Sequence, residues 1–86
     1  MLHIGNNAYI KINEVEVIVP PESAPIKKLI HHAQDIEKCV DCTFGGRTKS
    51  VIVLKSGTIV LSSTLTRTLN GRYKQLLLGG RKGEKS

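Results

Sequence analysis

The stretch Pro20-Pro21-Glu22-Ser23-Ala24-Pro25-Ile26-Lys27-Lys28-Leu29 constrains this chain more than any other. Its paired prolines stop any strand that precedes them, because proline cannot donate to a β-ladder. Ser23 is placed to cap the first amide donors of a helix. Pro25 falls in the first turn, where its missing N–H costs little. Behind it Ile26, Leu29, Ile30 and Ala33 recur at i, i+3, i+4 and i+7, which gives the helix one apolar stripe. The spacing predicts a helix that runs to about Glu37.

Short β-prone runs surround this helix. Leu2 to Ile4 and Ala8 to Ile12 are separated by Gly5-Asn6-Asn7, a turn signal. Val15, Val17 and Val19 alternate with Glu16 and Ile18, the pattern of a strand with one firmly buried face. Val40 to Phe44 and Ser50 to Leu54 flank Gly45-Gly46-Arg47-Thr48 and read as a hairpin. Ser56-Gly57 marks a second turn, leading into Thr58 to Ser62. A short helix is expected from about Thr66 to Lys74, capped by Thr64 or Thr66. The expected class is α+β, a small, strongly bent antiparallel sheet with one long helix and a short C-terminal helix. Uncovered edges rich in β-branched residues invite a partner strand, which favours an oligomer.

The 86 residues make one domain, read as 1–74 with a basic flexible C-terminal tail over 75–86. With two Tyr, one Phe and no Trp, the core must be built from Ile, Val and Leu. No apolar run approaches a membrane span and no hydrophobic signal segment opens the chain, so a cytoplasmic protein with no membrane partner is expected. The formal charge is +6, but most of it lies late in the sequence. Arg67, Arg72, Lys74, Arg81, Lys82 and Lys85 face only Glu84, whereas residues 1–66 hold seven basic and six acidic residues. The body is nearly neutral. The basic end attracts any polyanion without sequence preference, or serves only as a solvated end.

Pro-Glu-Ser-Ala-Pro-Ile-Lys over 21–27 is followed by Asp41-Cys42-Thr43-Phe44-Gly45-Gly46-Arg47-Thr48, then Val51-Ile52, then Leu61-Ser62. With these motifs the chain resembles the small bacterial extracellular-matrix regulators of the RemA type, over about residues 2–73. The resemblance implies a fold similar to LytTR-type DNA-binding domains. It also implies a closed ring of subunits and a role in transcription regulation, with DNA bent or wrapped around the ring. The family loop usually reads Gly-Arg-Arg-Thr, and both of its arginines are implicated in DNA contact. Arg47 matches the second and Gly46 stands in place of the first. A further family arginine aligns with Glu14, and Lys49 keeps a basic position.

Cys39-Val40-Asp41-Cys42 is the one pattern that suggests metal or redox chemistry. Zinc would need a second ligand pair, and the adjacent His31 and His32 on a helix point about 100° apart. A redox cysteine wants a helix N-terminus, and Cys39 follows a helix. Packing is the favoured role for both thiols, and in the resembled family these positions are ordinarily apolar or Ala. No histidine has a Ser or Cys partner in motif spacing, and the carboxylates other than Asp41 read as solvated faces. Asp41 is expected to hydrogen-bond the glycine loop or pair with a basic neighbour. The loop is not a Walker loop, because it lacks the spacing and the following helix.

The leading expectation is a non-enzymatic, ring-forming DNA-binding regulator with no cofactor, metal or small-molecule substrate. Arg47 and Lys49 would make the contact, helped by Arg67, Arg72 and the basic tail. Gly45 and Gly46 would let the backbone approach the ligand closely. The competing readings are a structural or protein-interaction ring without DNA binding and, further off, a small metal or redox module through Cys39 and Cys42.

Overall fold

A computed structural model describes residues 1–85, with side chains described as far as Leu78. The helix entrance forms as the sequence requires. Ser23 keeps extended backbone and its hydroxyl accepts from the Ile26 N–H at 3.4 Å, ahead of α1 (Ala24–Asp35). Ala33 is buried, Ile26 and Ile30 are half-buried, and Leu29 of the same stripe stays exposed. The helix stops just short of Glu37. That residue turns left-handed at φ +58. Its N–H donates to Gln34 O, and the Lys38 N–H donates to Ala33 O at 2.7 Å. These two bonds satisfy carbonyls the helix end would otherwise leave open.

Six strands follow in chain order: β1 (Leu2–His3), β2 (Tyr9–Ile10), β3 (Val15–Val19), β4 (Cys39–Asp41), β5 (Ser50–Leu54) and β6 (Ile59–Ser62). A second helix, α2 (Thr66–Lys85), ends the described chain. β1 and β2 form a separate two-stranded hairpin, and the other four make a sheet in the order β3-β5-β6-β4. The α+β class holds, in two sheets. The expected all-antiparallel arrangement is corrected by β4, which pairs with β6 in parallel. The expected hairpin of Val40–Phe44 with Ser50–Leu54 is corrected by the same fact. β5 already has β3 on one side and β6 on the other, and a strand has only two edges. The chain therefore passes from β4 to β5 across the end of β6, through residues 42–49.

Alternation along the strands builds two cores. Val51, Ile59 and Leu61 pack with Ala33, Ile26 and Ile30 of α1 on one face. Ile52 and Val60 pack with Val15, Ile18, Leu2, Ile4 and Leu69 on the other, where the hairpin and α2 lie. Burying each such Leu or Ile side chain contributes roughly 1.5–3 kcal/mol. A sheet covered on both faces explains why so few aromatics suffice.

The hairpin is fastened by polar contacts as well. The Ser62 hydroxyl donates to Ile4 O at 2.6 Å, and the Thr64 hydroxyl donates to the same carbonyl at 3.1 Å. Gly5 makes this approach possible. It sits at φ +101, and a Cβ there would lie 2.7 Å from Thr64 Oγ1.

α2 is longer than the expected Thr66–Lys74 helix. Leu76, Leu77 and Leu78 continue it, and the helical backbone runs on through Gly79 and Gly80 to Lys85. It thus takes in most of the segment read as a tail. The side chains of residues 79–86, on which the reading of a solvated basic end rests, lie outside the described residues.

Candidate nucleic-acid interface

The segment between β4 and β5 is held at both ends and in the middle. At its start the Cys42 N–H donates to Leu61 O, which extends the parallel ladder. Asp41 then accepts from the Thr43 N–H at 2.8 Å and from the Thr43 hydroxyl at 2.6 Å. The two hydrogen bonds hold its carboxyl below the ordinary carboxylate range. This is the loop contact anticipated for Asp41. The Gly46 N–H donates to Thr43 O at 2.9 Å and closes a four-residue turn. Phe44 and Gly45, its central residues, both have positive φ, +52 and +85. That is the signature of a type I′ turn. From the hairpin side, the Asn6 amide donates to the carbonyls of Cys42 and Thr43 at 3.3 and 3.4 Å. At the end of the loop the Lys49 N–H donates to Ser62 O, and Lys49 O accepts from the Thr66 hydroxyl.

The structure sorts the four cations singled out in the sequence. Arg47 is exposed on the loop just beyond the turn. Lys49 and Arg67 come together, lining one shallow cleft of about 230 Å³ with Pro20, Glu22, Leu65 and Thr66. Arg67 lies in the first turn of α2, which carries no acidic residue there. Arg72 faces elsewhere. Its guanidinium donates to His3 O at 2.9 Å, tying α2 to β1, and it lines a second, largely apolar cleft with Met1, His3, Gly71, Gln75 and Leu76. Gly46 is tight rather than strained. A Cβ there would lie 3.0 Å from Thr43 O and 3.5 Å from Ser63 Cβ. Glu14 is exposed just before β3, and its carbonyl accepts from the Lys55 N–H.

The two cysteines are placed for packing. Cys39 packs against the α1-side core and Cys42 against the core of the opposite face. Burial raises both thiol pKa values, and the Asp41 charge adds to it. His31 and His32 are exposed on α1. Among the described residues no three His, Cys, Asp or Glu side chains gather as a metal site would require.

Two loop features escaped the sequence reading. Phe44, expected to end a strand, stands at the tip of the turn. Asn6, expected only in a turn, also braces the loop from the β1–β2 hairpin. The Phe-Gly step inside a β-prone run was the available signal for the first, since glycine there favours a turn.

Comparison with known proteins places these features in a family. A family model described as RemA-like, extracellular matrix regulatory protein A-like, matches residues 1–73. The chain belongs to the RemA-like family. A relative in Coprothermobacter proteolyticus is 42% identical over 74 residues, covering 86% of this chain and 70% of that protein. One in Acaryochloris marina is 42% identical over 73 residues, covering 85% and 83%. One in Oceanobacillus iheyensis is 42% identical over 72 residues, covering 84% of each. All three are provisionally named as regulatory proteins. The match takes in the Pro-Glu-Ser-Ala-Pro entrance, the 42–49 loop and the first turn of α2. Family and relatives' names thus point to regulation rather than to an enzyme. No described helix is long and apolar enough to cross a membrane.

Proposed function

We propose that this RemA-like chain is a non-enzymatic DNA-binding regulator that works as a closed ring in the cytoplasm. The observation that carries the reading is the braced loop 42–49. Its backbone is tied to β6, to the β1–β2 turn and to α2, while Arg47 and Lys49 stay exposed. A loop fixed in advance loses little entropy when it meets a phosphate backbone. Arg67 strengthens the reading. A cation in a helix's first turn opposes the helix dipole, so an anion bound beside Lys49 and Arg67 relieves an unfavourable placement. Arg72 contributes less to such a contact, because its guanidinium already holds β1.

The ring is part of the proposal, as is the LytTR-like fold that the resemblance implies. The outer strands β3 and β4 each have one open edge, with Val17 43% and Val40 49% exposed. Two different edges joined head to tail make a heterologous contact, which closes into a ring when the rotation allows. A ring repeats the weak contact of Arg47 and Lys49 in every subunit, so avidity replaces local affinity.

The second reading, a ring that does not bind DNA, rests on Glu22. Glu22 lines the same cleft as Lys49 and Arg67 and adds a negative charge to it. Gel-shift titration on random and A/T-rich duplexes at several salt concentrations separates the two, with light scattering for the ring. DNA binding predicts a shift that weakens steeply with salt. No shift at low salt from a ring-sized species supports the second reading, and a monodisperse monomer refutes both.

A further inference from the structure

Phe44 is the chain's single phenylalanine, and at 72% it is the most exposed large apolar side chain among the described residues. It also holds an uncomfortable backbone, φ +52, which bulky side chains rarely adopt. At its other positive-φ turns the chain has Gly5, Asn6, Asn7 and Gly57, residues that tolerate the conformation, and the left-handed Glu37 ends α1. At 44 neither packing nor local backbone preference explains the aromatic ring. The surroundings nevertheless hold it in place. The turn is closed by Gly46 N–H to Thr43 O and anchored by Asp41 and Asn6. Strain maintained by bracing contacts is a recurring mark of a functional position.

The following residues narrow what the ring meets. Gly45 and Gly46 add no side chain, and Arg47, Thr48 and Lys49 are polar or cationic. A protein-docking patch wants contiguous apolar area around its anchor. A lone aromatic followed by bare backbone and two cations fits a nucleic acid instead, with a base against the ring and phosphates against the charges.

Resting on the DNA reading above, we propose that Phe44 is an apolar wedge that the loop presses into a base step of the duplex, while Arg47 takes a flanking phosphate. Three residues of chain span at most about 11 Å, the length of roughly three base-pair steps. Arg47 therefore stays within a few steps of the wedge. Insertion of this kind unstacks the step and kinks the duplex, most easily at pyrimidine–purine steps. A ring that bends DNA would gain such a kink at each subunit.

The test uses the full chain and duplexes carrying 2-aminopurine at TA steps, whose fluorescence rises on unstacking. Wild-type protein should raise the signal on binding. Phe44→Gly removes the ring and relaxes the backbone, so it should melt at a higher temperature than wild type while binding DNA at least about 5-fold more weakly, the loss from one base contact, and more where several subunits engage. Its salt dependence should be unchanged, because no charge is lost. Phe44→Trp should retain both binding and the fluorescence rise. A wild-type complex with no fluorescence rise overturns the wedge. So does a Phe44→Gly complex as tight as wild type, and either result leaves the DNA reading standing. A fall in oligomer mass for Phe44→Gly assigns the ring to a contact between copies and also overturns the wedge. Absence of any wild-type binding removes the DNA reading and the wedge together.

Discussion

Asp41 holds Thr43 twice through one carboxylate oxygen, at 2.8 Å to its N–H and 2.6 Å to its hydroxyl. Both bonds need an acceptor, and they pull the carboxyl below its ordinary value of 3.8. A lowered folded pKa means that this contact is fully present above the ordinary value and is lost as pH falls through the folded one. The loop should therefore keep its order at neutral pH and loosen only below about pH 3.8. Amide exchange and chemical shift of Thr43 followed by NMR across that range check this. Asp41→Ala should show the loosened Thr43 signal at all pH values. An unchanged Thr43 in that variant would mean the carboxylate does not order the turn.

Gly5 lies close against Thr64, where the β1–β2 hairpin is fastened. With φ at +101 and Thr64 Oγ1 2.7 Å from the position of a Cβ, alanine is opposed by both conformation and space. Gly5→Ala should cost about 1–3 kcal/mol. A domain of this size then melts roughly 4–8 °C lower per kcal/mol. Thermal unfolding by circular dichroism measures it. A melting temperature within a degree of wild type would show that the hairpin does not need this contact.

Cys39 and Cys42 should behave as packing residues on opposite faces of the sheet. Burial, with the nearby Asp41 charge, keeps both thiols protonated above their ordinary range. Thiol reagents at pH 8 should react slowly with the folded protein and rapidly once it is unfolded. Replacing both with Ala should cost about 1–2 kcal/mol and leave the oligomer intact. Stoichiometric zinc in protein purified without added metal would contradict this assignment.

What the sequence revealed was local. Ser23 and Pro25 announce α1 because capping and first-turn chemistry act within four residues. Ser56-Gly57 announces the β5–β6 turn for the same reason, and Gly57 indeed has φ +94. The parallel pairing of β4 with β6 was not legible. Residues 40–44 and 50–54 look alike as β-prone runs, and only the packing of α1 and the occupancy of both β5 edges decide their partners. The end of α2 was not legible either, because Gly79-Gly80 weakens a helix by about 1 kcal/mol per glycine without forbidding it. At the candidate site, Arg47 and Lys49 were visible as sequence neighbours. The convergence of Lys49 with Arg67 and the diversion of Arg72 to His3 depend on where α2 docks, which no spacing rule supplies.

The loop charges provide the sharpest comparison between the two functional readings. Arg47 is exposed beyond the braced turn, so Arg47→Ala should leave assembly and melting temperature nearly unchanged. If it meets a phosphate, each subunit loses a contact worth about 1 kcal/mol and the salt slope falls by about one per contact. In a ring those losses act together, so affinity should drop steeply. Gly46→Arg tests the opposite direction. Its φ is not left-handed, but its Cβ would come within 3.0 Å of Thr43 O, so the turn must yield by a few tenths of an ångström. The expected result is a slightly less stable protein that binds DNA more tightly and with a steeper salt dependence. Deleting residues 79–86 removes the last part of α2 and its basic residues, so circular dichroism and light scattering must first show the fold and assembly intact. With those preserved, the deletion should cost much less affinity than Arg47→Ala. If the deletion abolishes binding while Arg47→Ala leaves it unchanged, attraction to DNA belongs to the charge at the chain's end, and the loop is not the contact.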